Sequence, residues 1–407
     1  MTPSPPDAAP DDLDHAVAAA DAFVLDPAVV HLNHGSFGAC PRAALDVQAA
    51  WRARLEAATM RFFVLDGQPA LDDARAEVAG FVGADPAGLV FVANATAGVA
   101  TALDGLVGDG DEVVTIDHGY AACRHGLERL VARRGGRVVT AHVAFPVRDP
   151  AQHVDAIVAA CTPETRVVLL DHVTSPTALI LDVAAIARAL APRGVHVVVD
   201  GAHAPGMLDL DVAALAAAGV AAYVGNLHKW ACAPKACALL WVRDDLRRRI
   251  RPLVTSHGAA LAVDDPRRFH AEHDWTGTHD PTPYLSAPAA IAAIAAIGGG
   301  WPAVRARGHR LAIAMRDVLL DALGGAPAAP DAMLGMMASL PIAPPAGVAP
   351  RDLERGLLEA GWEVAIAPWP RLDQIYLRVS AHVYNRLDDA RRLAAHLRAL
   401  GIHGAAE

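Results

Sequence analysis

Between residues 89 and 243 the hydrophobic positions come in short bunches with a regular rhythm. The runs LVFVAN (89–94), DEVVTID (111–117), RVVTAHV (137–143), RVVLLDHV (166–173), VHVVVDGA (195–202), AAYVGNL (221–227) and CALLWV (237–242) alternate with alanine-rich helical stretches. The runs are nearly continuous in apolar character rather than alternating, as strands are when helices cover both sheet faces. Seven strands with helical crossovers predict a doubly wound, mostly parallel α/β sheet. The seventh run follows the sixth so closely that an antiparallel pairing is open to it.

Beyond residue 300 the pattern changes. GHRLAIAMRDVLLDAL predicts a helix and GGAPAAPDAM a loop, followed by apolar runs MMASLPI, WEVAIAP and QIYLRVS around a helix at 350–360. This is an α+β arrangement. The chain therefore divides into a flexible N-terminal segment 1–28, a large domain 29–290 carrying a loop at 31–41, and a small C-terminal domain 291–407.

Composition narrows the function classes. The 407 residues are 53% hydrophobic, ample for a large core. Net charge is −10 and the longest basic run is Arg247, Arg248, Arg249, which leaves no clustered basic face for nucleic acid. The first 28 residues, rich in Pro, Asp and Ala, show no secretory signal pattern. The best membrane-span competitor, 285–304, is broken by Gly298, Gly299, Gly300 and Pro302 and reads better as a buried alanine-rich helix. Five cysteines, Cys40, Cys123, Cys161, Cys232 and Cys237, form no CxxC pair and point to reduced thiols in a cytoplasm.

Lys229 and Lys235 are the chain's only lysines, against 33 arginines by subtraction from 35 basic residues. Arginine cannot serve as an amine nucleophile, whereas lysine can lose its proton and condense with a carbonyl. Lys229 directly follows a strand and has His228 beside it, so it is the Schiff-base candidate; Lys235 follows Pro234 and reads as a surface charge. Polar residues close the strands at Asn94, Asp117, His118, His172, Asp200, His203 and His228, where open α/β sheets bind ligands. Asp200 ends a valine-rich strand, where a carboxylate needs a cation; a protonated pyridine nitrogen suits it, with His203 near a ring oxygen. Asn94-Ala95-Thr96 closes a strand and opens a helix, either as a plain N-cap or as a phosphate site. His118 or Tyr120 is placed to stack on a flat ring. Arg378 interrupts an apolar strand and calls for an anion, either a substrate carboxylate or an internal partner.

These pieces resemble, in order, the class V aminotransferase family of fold type I pyridoxal-phosphate enzymes, and within it the isopenicillin N epimerase-like branch. The motifs that carry the likeness are HLNHGSFGACP (31–41), HVTSPTALI (172–180), DGAHAPG (200–206), GNLHKW (225–230), WTGTHDPTPYLS (275–286) and RVSAHVYN (378–385). The resemblance implies pyridoxal 5′-phosphate bound through Lys229, which also shuttles the Cα proton. It implies Asp200 on the pyridine nitrogen, His203 and Ser175 near the ring oxygen, and Tyr120 or else His118 over the ring. It further implies a phosphate held by Asn94, Ala95, Thr96, Tyr223 and His228, and by Gly277 and Thr278 of a second subunit, hence a homodimer. Arg378 takes the substrate carboxylate, with Asn33 and His34 on a loop nearby. No cysteine follows Cys237, which departs from the cysteine desulfurases and argues against persulfide-forming chemistry.

The family fixes the cofactor and not the reaction. Elimination needs Lys229 and room for a leaving group; epimerisation needs two acid–base groups on opposite ring faces, Lys229 as one and Tyr120 or a nearby histidine as the catalytic candidate for the other; transamination is a third fate. C–S lyase or related side-chain chemistry on a specialised cysteine conjugate is expected, with epimerase and aminotransferase as alternatives. Two other classes compete: a non-catalytic cofactor-binding protein, and a metal hydrolase suggested by 19 histidines. The intact Lys229, Asp200 and Arg378 oppose the first. No further ligands in register are evident for the second, so no metal is expected.

Overall fold

A computed structural model describes residues 13–19 and 21–405. All seven expected strands form: β1 (Leu89–Val92), β2 (Glu112–Ile116), β3 (Arg137–Ala141), β4 (Thr165–Asp171), β5 (His196–Asp200), β6 (Val220–Asn226) and β7 (Ala238–Val242). They make one sheet in the order β1-β7-β6-β5-β4-β2-β3. Strands β2 to β6 run parallel, and β7 is antiparallel to both β6 and β1. The short link before β7 explains its direction, because a parallel return needs a longer crossover.

Side-chain alternation assigns each strand residue to a face. Val113, Val167, Leu169, Val198, Ala222, Val224 and Leu240 pack with Val99, Leu103, Cys123 and Leu127 of helices α1 (Ala95–Leu106) and α2 (Ala121–Arg133). Val114, Val168, Leu170, Val197, Val199 and Tyr223 pack on the opposite side, with Val78, Ile186 and Leu215 from other helices. Both faces are thus covered, as the unbroken apolar runs require.

Helix α3 (Ala287–Gly298) buries Ala287, Ala290 and Ile294. Among the described residues no single helix is long and apolar enough to cross a membrane; Thr282–Gly298 and Trp301–Leu323 would qualify only as a pair, bent by 68°. Helix α4 (Trp301–Leu323) and helix α6 (Leu387–Ala399), with α5 (Pro350–Glu359) between them in the chain, pack on a four-stranded antiparallel sheet. Its strands are β8 (Met337–Ala343), β9 (Ala365–Pro368), β10 (Ile375–Ser380) and β11 (His403–Gly404), in the order β9-β10-β8-β11.

Residues 1–12 and 20 of the expected flexible segment lie outside the described residues. Of the rest, Phe23 is buried, and Val17 and Ala18 both donate N–H to the Val383 carbonyl at 2.8 and 3.0 Å. An apolar ring and paired amides tie this stretch to the chain's far end, so it is docked there, contrary to the expected flexibility.

Candidate active site

Asp200 is the last residue of β5, and Lys229 lies three residues beyond the end of β6. Tyr120 precedes α2 and Asn94 precedes α1, so the four groups gather beyond the carboxyl ends of the central strands. Lys229 Nζ lies 3.3 Å from His203 Nε2. Burial, aided by the Arg378 charge, lowers the Lys229 ammonium to about 8. The same burial, with Lys229 and Arg378 nearby, pushes His203 well down, so it is a neutral imidazole. The Trp230 indole N–H donates to His203 Nδ1 at 3.3 Å and orients the ring. Lys235 is exposed and donates to the Gly38 carbonyl at 2.5 Å.

Asp200 is sealed, and its oxygens accept from the Ala202 N–H at 3.0 Å and the Cys123 thiol at 3.2 Å. Neither partner is a cation, although a buried carboxylate calls for one. At the start of α1, Asn94 Oδ1 accepts from the Ala97 N–H at 2.9 Å, so the cap is real. The Ala95 N–H donates to Asn226 Oδ1 at 2.8 Å, and Thr96 is exposed beside it. Asn226, absent from the expected site, therefore stands at this helix start. Its signal was its parity: Val224 and Asn226 face α1, whereas Tyr223 faces the other way.

Two expectations are corrected. The Tyr223 hydroxyl bonds His172 Nδ1 at 2.8 Å on the opposite face from α1, so Tyr223 does not hold the phosphate. His118 is fully buried, with Nδ1 on Thr177 Oγ1 at 2.7 Å and Nε2 on the Val143 carbonyl at 2.9 Å. Its ring packs against Trp369 and Phe145, so it is a structural histidine and not a cover for a cofactor ring. Tyr120, 45% exposed, keeps that role open. His228 Nδ1 sits 2.8 Å from the Cys237 carbonyl, and burial lowers the ring to about 4, fixing it neutral.

Arg378 is buried, and among the described residues no carboxylate pairs with it. Its Nη1 donates to the Ser175 carbonyl and hydroxyl at 2.7 and 3.1 Å; Nη2 donates to Asn33 Oδ1 at 3.1 Å and Ser36 Oγ at 3.0 Å. Its Nε has no partner, and burial lowers the guanidinium to about 10. Among the described residues the expected internal salt bridge does not form, which leaves the cation to a bound anion. His34 is less exposed to substrate than expected: Nδ1 meets the Tyr384 hydroxyl at 2.7 Å and Nε2 the Lys229 carbonyl at 3.0 Å, so it braces the lysine turn. Gly277, at φ +123, and Thr278 lie on a turn before Thr282–Leu285; the His279 ring bonds the Gly277 carbonyl at 2.9 Å. His34, Cys232 and His382 also cluster, but the His34 Nε2 bond to a carbonyl requires a proton there, which removes that atom as a metal ligand.

A lysine amine poised near neutrality, a carboxylate without a cationic hydrogen-bond partner, a helix start with Thr96 exposed at its mouth and a guanidinium lacking its anion have complementary needs. One planar, phosphorylated pyridine aldehyde meets the first three, and an amino-acid carboxylate the fourth. Bound there, it supplies an electron sink for negative charge at the substrate Cα. The fold and these surroundings define the class, an enzyme built on pyridoxal 5′-phosphate. The aminotransferase class-V family model matches residues 63–354, and the chain belongs to that family. An isopenicillin N epimerase of Amycolatopsis lactamdurans is 34% identical over 92% of this chain and 96% of its own length. An L-cysteine desulfhydrase of Arabidopsis thaliana is 26% identical over 90% of this chain and 86% of its own. The solved structure of the cystine C–S lyase C-DES with its product cysteine persulfide has the same fold, with TM-score 0.76 and 21% identity over 91% of this chain and 98% of its own.

Proposed function

We propose that this enzyme eliminates the β-substituent of a cysteine-type amino acid, cleaving its C–S bond. The observation that carries this reading is the asymmetry of proton-handling groups. Lys229 and His203 form one close pair, while His118 has both nitrogens committed. Elimination needs one base at Cα and space for the leaving thiol, whereas inversion needs a second acid on the far side. Lys229 takes the Cα proton. Arg378, held by Asn33, Ser36 and Ser175, orients the substrate carboxylate. All five cysteines are buried and none follows Cys237, which argues against a persulfide carried on the protein. The relatives named desulfhydrase and C–S lyase agree with this reading.

Epimerisation is the second reading, favoured by the 34% identical epimerase and by the exposed Tyr120. Proton NMR in deuterated water separates the two: solvent deuterium at Cα of an intact, inverted amino acid means epimerase, and loss of the β-substituent means lyase. We further infer a cytoplasmic homodimer. Met60, Val64, Leu65, Leu253 and Val254 are each more than half exposed, and Leu253 borders a groove of about 310 Å³ lined by Thr96 and Cys123 at the cofactor site. In this reading a second subunit covers these side chains and lends its Gly277–Thr278 turn to the phosphate. Reduced, unpaired thiols support the compartment.

A further inference from the structure

Asp200 is not the only carboxylate beneath the cofactor site. Asp171, the last residue of β4, is its register partner on the neighbouring parallel strand. Paired residues on adjacent strands project to the same face, with strands about 5 Å apart. Both face the α1 and α2 side, as Leu169 and Val198 do, and both are sealed, at 5% and 2% exposure. Asp171 feels the charge or dipole of Asp200 from β5, of the Tyr120 backbone and Cys123 at the start of α2, and of the Lys229 ammonium after β6. No arginine pairs with either carboxylate among the described residues. Two like charges in a dry site cannot both persist.

We propose that Asp171 and Asp200 hold one proton between them, with Asp171 the neutral acid and Asp200 the anion that faces the ring nitrogen. The unequal hydrogen bonding decides which carboxylate is charged. Asp200 receives both the Ala202 N–H and the Cys123 thiol at hydrogen-bond distance, whereas around Asp171 the Tyr120 backbone is the one favourable dipole among the described residues. Burial raises both carboxyls; the two hydrogen bonds hold Asp200 back, while the neighbouring Asp200 pushes Asp171 further, well above the ordinary carboxylate range. Asp171 is then a positioning residue acting through Asp200. At neutral pH it leaves one negative charge under the ring. As pH rises and its proton leaves, a second negative charge arrives and opposes loss of the proton from the ring nitrogen.

This proposal rests on the cofactor site and not on which reaction follows, and its first test needs neither cofactor nor turnover. Infrared spectroscopy of the apo protein at neutral pH should show a carboxylic-acid C=O band that shifts in deuterated water. The band should vanish in Asp171→Asn and persist in Asp200→Asn. If Asp171→Asn does not fold, the wild type and Asp200→Asn still decide. A wild type without the band, or a band that survives Asp171→Asn, overturns the proposal. In the loaded enzyme, the pH midpoint of the ring-nitrogen-sensitive visible spectrum should move to lower pH in Asp171→Asn. An unmoved midpoint would also overturn it, whereas failure of C–S cleavage alone would bear only on the reaction.

Discussion

Lys229 and Lys235 lie six residues apart, and their surroundings separate them. Lys229 is buried beside His203, while Lys235 is exposed and donates to the Gly38 carbonyl. Lys229→Ala should abolish both the visible band of the bound cofactor and all turnover, whereas Lys235→Arg should change kcat/KM by less than about twofold, since a surface charge is retained. The chemistry also has a pH signature. Only the neutral amine attacks a carbonyl. With the Lys229 ammonium lowered to about 8, cofactor uptake by apoenzyme should quicken with rising pH and level off above that value. Arg378 lowers the ammonium further by repulsion, so Arg378→Gln should move the midpoint upward. The same variant removes the carboxylate anchor, worth about 1.5–3 kcal/mol for a charged hydrogen bond, or roughly ten- to a hundredfold in KM. Stopped-flow absorbance and steady-state kinetics check the two effects separately.

At the scale of elements, the loop 31–41 is clamped against the lysine turn. Gly38 has φ +67, and a Cβ there would stand 2.4 Å from the His228 carbonyl oxygen and 2.7 Å from that of Lys229. His34 holds the same Lys229 carbonyl from within the loop. Gly38→Ala should therefore cost about 1–3 kcal/mol, seen as a lower melting temperature or, if the loop lifts away, as a lower kcat. This scale also shows what the sequence could disclose. The seven strands were legible because unbroken apolar runs leave little else to form. Lys229, Asp200 and Arg378 were legible because each breaks a local rule: a lone amine, and charges inside apolar runs. Tyr223 is not legible in this way, because composition marks an aromatic without showing its face, whereas strand parity points to Asn226. The structural role of His118 is hidden in the sequence because its partners, Thr177 and Val143, are 59 and 25 residues away. Only the folded sheet brings them together. Asp171 went unnoticed because its meaning depends on its register with Asp200.

At the scale of the whole molecule, the exposed Met60, Val64, Leu65, Leu253 and Val254 are the features a second subunit would cover. Leu253→Glu should lower the apparent mass on size-exclusion chromatography with light scattering and weaken cofactor retention at the same time, because Leu253 borders the groove shared with Thr96. A monomeric variant that keeps its cofactor unchanged would separate the two. Product analysis tests the assigned reaction. Purified enzyme is incubated with L-cysteine and a panel of cysteine S-conjugates, and thiol or sulfide release is quantified alongside keto acid. The account predicts equimolar thiol and keto acid from at least one substrate, with both lost in Lys229→Ala. Inversion at Cα with no thiol released from any of them would contradict it.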